Sequence, residues 1–127
     1  MTGVRYQQLA MRTNDGESSY RLAKALCKAE NEGTADFGGF MMACLGLSGE
    51  IGEFNDMMKK VIFHESTFDE EHAKKELGDI LWYVAMMCES FDWNMDEIMQ
   101  MNIDKLKKRY PDGFDVNRAN HREENDV

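Results

Sequence analysis

Along this chain the apolar side chains recur at helical rather than alternating spacing, most clearly at Leu45, Leu47, Ile51, Phe54, Met57, Met58, Val61 and Ile62. That spacing puts them on one side of an α-helix. Polar clusters punctuate the pattern and divide it into helices. A short helix is predicted over residues 4–12, ending at "TNDGESS", and a second runs through "YRLAKALCKAEN" to Gly33. The long third helix lies within "FMMACLGLSGEIGEFNDMMKKVIFH" and the fourth is "DEEHAKKELGDILWYVAMMCESF". A last helix begins near Asn94, continues through "MDEIMQMNIDKLKKRY", and is ended by Pro111, Asp112 and Gly113. Thr67 stands three residues before Glu70, which predicts a capping box at the start of the fourth helix. No segment reads as a strand and no internal repeat occurs. The expected fold is all-α: an antiparallel helical bundle of about four main helices, followed by a polar tail over residues 115–127.

One stretch breaks the helical economy. "LGLSGEIGEF" carries glycines at 46, 49 and 52, and each costs a helix interior about 1 kcal/mol relative to Ala. Their three-residue recurrence clears one flank of the helix for close approach by a neighbouring helix or a ligand, and Gly78 offers the same on the fourth helix.

Composition narrows the partners. The 127 residues include a single proline and suit one domain, and a 43% hydrophobic content is enough for a packed interior. The net charge of −9 argues against a nucleic-acid polymer. No apolar run approaches the roughly 20 residues that span a bilayer, so no membrane partner is expected. The first residues lack the apolar core of a secretory signal, and a cytoplasmic protein is expected. Cys27, Cys44 and Cys88 have neither disulfide nor zinc spacing and read as reduced thiols in or near the core. His64, His72 and His121 are scattered and read as surface or loop residues. The eleven methionines suit irregular helix contacts in a core, with some left for a subunit interface.

The candidate chemistry lies in the acids. Glu50 and Glu53 are three apart, as are Glu76 and Asp79 on the next helix, so each pair projects from one helix face. With the intervening loop turning the helices antiparallel, the pairs face each other. Either pair alone would fit a solvated face, but Leu47, Ile51 and Phe54 surround the first and "ILWYVAMM" follows the second. Four acids brought together there would repel one another unless a cation neutralised them. Oxygen-only ligands favour Mg²⁺, with Mn²⁺ as a substitute. A di-iron bundle also draws carboxylates from facing helices, but it needs Glu-x-x-His, and the third positions after Glu50, Glu53 and Glu76 are Glu53, Asp56 and Asp79.

Basic residues supply the complement. Lys60 returns to nearly the face of Glu53 two turns along, and Asn102, Lys105 and Arg109 share one stripe of the last helix. Either a bound phosphate or a cationic last turn answering the helix dipole accounts for that stripe. The aromatics Phe37, Phe40, Trp82, Tyr83, Phe91 and Trp93 suit a core or a base-stacking surface.

The ordered set "GLSGEIGE", a following lysine, "ELGDILWYVA" and "NIDKLKKRYPDGF", with "YQQLAMRT" upstream, resembles the ExxE…ExxD signature of the MazG-like nucleotide pyrophosphohydrolases, within the all-α NTP pyrophosphatase superfamily. The resemblance extends over residues 6–114, which implies a catalytic domain over residues 1–114. It implies Mg²⁺-dependent hydrolysis of a nucleoside triphosphate between its α and β phosphates, giving the monophosphate and pyrophosphate. It also implies Glu50, Glu53, Glu76 and Asp79 as metal acids, Lys60, Asn102, Lys105 and Arg109 as phosphate contacts, and a homo-dimer or homo-tetramer. Glu53, with Glu50, is the expected catalytic acid, orienting or deprotonating the attacking water. A phosphoribosyl-ATP pyrophosphohydrolase is a near relative of the same class. The reading from a different class is a non-catalytic, metal-binding helical oligomer with a regulatory or interaction role.

Overall fold

A computed structural model describes residues 1–121 of the chain, and among them the ordered backbone is helical throughout. The helices are α1 (Gly3–Ala10), α2 (Ser18–Glu32), α3 (Phe37–Phe63), α4 (Glu70–Ser90), α5 (Met95–Arg109) and the short α6 (Val116–Asn120). A 3₁₀ turn at Met11–Thr13 takes the last turn expected of the first helix. In the predicted polar tail, α6 forms over its first half, and residues 122–127 lie outside the described residues.

Capping side chains set most of these boundaries. Asp36 Oδ1 accepts from the Gly39 N–H at 3.0 Å and opens α3. Asn94 Oδ1 accepts from the Asp96 N–H at 2.8 Å and opens α5. Gly33 closes α2 in the left-handed conformation (φ 59°), its N–H bonding back to the carbonyls of Ala29 and Glu30, a cap that suits glycine. The start of α4 corrects the sequence expectation. Asp69, not Thr67, is the cap, its Oδ1 accepting from the His72 N–H at 3.0 Å, while Glu70 pairs with Lys74 instead of reaching back. Asp caps at least as well as Thr and adds a charge that the helix N-terminus favours.

The architecture is dominated by one antiparallel hairpin. At its closed end the Asp36 N–H donates to the Ser90 carbonyl at 2.7 Å. Midway, a methyl added at Gly46 would overlap the Tyr83 ring. Further on, Glu50 comes beside Asp79 and Glu76. Each step up α3 thus matches a step down α4, and residues 64–69 make the turn. Around the closed end, Phe40 meets Phe37 and Phe91 edge-on at centroid distances of 5.6 and 5.2 Å, and Phe91 stacks on Trp93 at 4.4 Å.

Of the expected bundle, among the described residues only α3 and α4 pack along their length within one chain, with α2 touching α3 lightly. The buried apolar residues are small, namely Ala29, Ala43, Ala73 and Cys88. Cys27, expected in or near the core, is exposed within the chain, whereas Cys44 is half-buried. Large side chains such as Leu45 (74% exposed), Phe63 (75%) and Met101 (64%) face outward. No described helix is long and apolar enough to cross a membrane.

Candidate metal centre

Beyond Gly46 the hairpin opens into a cleft of about 510 Å³, floored by α3 and α4 and closed at one end by the turn between them. Gly49 and Gly52 line it, and a methyl at either would meet nothing within 4 Å. Three glycines of one motif therefore divide into two roles. Gly46 admits the Tyr83 ring, whereas Gly49 and Gly52 leave space. Gly78, expected to clear the partner helix, also faces open space.

At the mouth of this cleft, carboxylate oxygens of Glu50, Glu76 and Asp79 lie within 4.8 Å of one another. The i, i+3 spacing of Glu76 and Asp79 puts both on the face of α4 that meets α3, and the hairpin register sets Glu50 across from them. Glu53 stands outside that three-acid group but lines the same cleft beside Glu76. Burial is steepest at Glu76, 9% exposed. Its Oε1 accepts from His72 Nε2 at 2.8 Å, and its Oε2 is buried without a hydrogen-bond partner. Such an orphaned carboxylate oxygen is costly, and a bound cation, or a proton on the neighbouring Glu50 carboxyl, would satisfy it.

Electrostatics agree. The carboxyl of Glu50 is pushed above its ordinary value, first by its half-buried position and then by the charges of Glu53, Asp79 and Glu76. An all-oxygen donor set, a raised acid and an unsatisfied buried oxygen together fit a hard divalent cation. The chemistry of the donors agrees with Mg²⁺ and offers no soft ligand.

The turn end of the cleft also carries a cation. Lys60 lines it and pairs with Asp56 at 2.6 Å, and Asp56 also holds Lys59 at 2.5 Å. These two lysines pull the Asp56 carboxyl down to about 2. The predicted Lys60 is thus in the cleft but restrained by a partner that the sequence reading did not assign. Asn102, Lys105 and Arg109 lie on α5, which contributes no residue to this cleft within one chain. None of the candidate stacking aromatics lines it either.

Sequence reasoning missed His72. As one of three scattered histidines it carried no ligand spacing, but it sits four residues before Glu76, one helical turn, and that interval was the available signal.

A family model of the MazG nucleotide pyrophosphohydrolase domain matches residues 41–114, which hold all four acids and Lys60. The Gene 37 protein of Mycobacterium phage L5 is similar over 75 residues at 31% identity, covering 56% of this chain and 66% of its own length. The chain therefore spans just under two thirds of that relative. No solved structure matches it. With the family match covering more than half of its length, this chain belongs to the MazG nucleotide pyrophosphohydrolase family.

Proposed function

We propose that the chain is a Mg²⁺-dependent pyrophosphohydrolase that cleaves a ribo- or deoxyribonucleoside triphosphate between its α and β phosphates, releasing the monophosphate and pyrophosphate. The observation that carries this reading is the group formed by Glu50, Glu76 and Asp79, together with the buried, unpartnered Oε2 of Glu76. These three carboxylates hold the cation. Bound there, Mg²⁺ would neutralise phosphate charge and make a water more acidic.

The remaining chemistry belongs to the chain's own side chains. Glu53 faces the cleft next to Glu76 without belonging to the three-acid group, and it is the acid assigned to orienting or deprotonating the attacking water, with Glu50 opposite. Lys60, at the far end of the cleft, takes the phosphate charge that develops away from the acids. The open flank at Gly49 and Gly52 gives the polyphosphate room against the α3 backbone.

The working form is a homo-oligomer, a dimer or a tetramer. A single chain leaves a row of α5 side chains outside, with Ile98 and Leu106 more than a third exposed and Met99 and Ile103 about half. Apolar area left in water on that scale forgoes the main favourable contribution to folding. Assembly that buries this side of α5 is also the route by which Asn102, Lys105 and Arg109 come to a phosphate. The catalytic domain is residues 1–114, with residues 115–127 as a polar tail, and the three free cysteines suit the cytoplasm.

The test is pyrophosphate release from a panel of NTPs and dNTPs with Mg²⁺. Release should be lost in EDTA and fall at least about 100-fold in Glu53→Gln. No release from any nucleotide would leave the non-catalytic oligomer as the better reading, and full turnover by Glu53→Gln would remove that residue from its role.

A further inference from the structure

The three acids do not position themselves. Glu76 is reached through a short chain of contacts that begins in the turn. Asp69 caps α4 by accepting from the His72 N–H at 3.0 Å, which fixes the backbone at His72. One turn along, His72 Nε2 meets Glu76 Oε1 at 2.8 Å. A carboxylate can only accept, so Nε2 carries the hydrogen. Glu76 then has one oxygen committed to His72 and the other buried with no partner.

We propose that His72 is a positioning residue: its Nε2–H holds Glu76 in the rotamer that keeps its carboxylate in the three-acid group and leaves Oε2 unpartnered, so that a divalent cation meets a ligand already oriented. The inference rests on the reading of Glu50, Glu76 and Asp79 as a cation site. A long glutamate side chain loses rotamer freedom when it binds a metal, and a hydrogen bond made beforehand removes part of that cost. His72 also lines the cleft, and its side chain is 56% exposed. It can therefore be replaced without opening a cavity, and a substitution there reads out orientation rather than packing. Ion pairs elsewhere on α4, Lys74 with Glu70 and Lys75 with Glu71, lie on its exposed surface and reach none of the three acids.

The experiment uses the full chain and Mn²⁺ as the probe, with bound and free ion separated by electron paramagnetic resonance. Wild type should bind Mn²⁺, and Glu76→Gln should lose most of that affinity. His72→Ala, which favours helix and leaves the surface intact, should weaken binding about tenfold. His72→Gln retains an N–H donor at the same interval and should recover to within about threefold of wild type. Circular dichroism should show the same helix content for all four proteins. Wild-type affinity in His72→Ala would overturn the proposal, and so would an equal loss in the Ala and Gln variants. An absence of Mn²⁺ binding by wild type, or no loss in Glu76→Gln, would instead overturn the cation-site reading and this inference with it.

Discussion

The α3–α4 hairpin is closely packed from the Asp36–Ser90 end, where the Phe37, Phe40, Phe91 and Trp93 rings gather, as far as Gly46 and Tyr83. One turn further along the same two helices, Gly49 and Gly52 face open space, Glu53 and Glu76 line a cleft, and Glu50, Glu76 and Asp79 come together. Backbone type, register and even the glycine repeat are shared between the two ends. They differ in what the opposite helix offers. Tyr83 fills the flank cleared at Gly46, whereas further along α4 presents Glu76 and Asp79 toward α3. A hairpin packed closely along one part and joined by the turn at the other can leave the stretch between them unfilled without collapsing.

The glycines offer the sharpest way to break that contrast, with the largest expected effect. Gly46→Ala drives a methyl into the Tyr83 ring and should lower stability by about 1–3 kcal/mol, the usual range for overpacking. Gly49→Ala meets nothing and should raise stability by roughly 0.5–1 kcal/mol, the ordinary helix gain. Urea unfolding of the two variants checks both signs. Gly49→Leu should stay folded and lose activity, because the longer side chain enters the cleft. Equal destabilisation by alanine at the two sites would mean that an assembled partner also fills the flank at Gly49.

How far the sequence carried this picture can be followed residue by residue. The helices were legible because apolar spacing, Gly33 and Pro111 are local signals that tertiary structure had no reason to override. The convergence of Glu50, Glu76 and Asp79 was legible because i, i+3 spacing and a short turn fix relative height. The cap of α4 was misread because Thr67 and Asp69 compete for one role and local sequence does not rank them. Asp56 and His72 were passed over for a common reason. Each matters through a partner, Lys60 or Glu76, whose own importance depends on the fold. The division of labour among the three glycines likewise needed the register of α4, since periodicity treats all three alike. Nor does periodicity say what lies against α5, which leaves Asn102, Lys105 and Arg109 on a helix that the single chain does not bring to the cleft.

A smaller effect tests whether the open end is held open by charge. The folded-state carboxyl of Glu50 titrates above its ordinary value of 4.5, so the folded chain takes up that proton more readily than the unfolded chain does. Stability from this group therefore falls as pH rises from the ordinary carboxylate value through the raised one, and the penalty is complete at neutral pH. Glu50→Gln removes it, and at pH 7 without metal the variant should melt above wild type. Excess Mg²⁺ should reverse the order, because the cation stabilises the wild-type cluster and has one ligand fewer in the variant. A variant that melts below wild type with and without Mg²⁺ would show that Glu50 is a packing residue.

The smallest effect concerns the lysine end. The Asp56 carboxyl is held down to about 2 by Lys59 and Lys60, which is the opposite sign from Glu50. Its contribution is present above the ordinary aspartate value of 3.8 and is lost as pH falls from about 4 to about 2. Asp56→Asn should therefore lower the urea midpoint slightly at pH 6, and the gap from wild type should close near pH 2. Because both ion pairs are exposed, 1 M salt at pH 6 should close much of the gap as well. The same substitution frees Lys60 from its partner while leaving the three acids intact. A lower KM with little change in kcat would then mean that Asp56 competes with substrate phosphate for Lys60, whereas a higher KM would mean that Asp56 aims that lysine into the cleft.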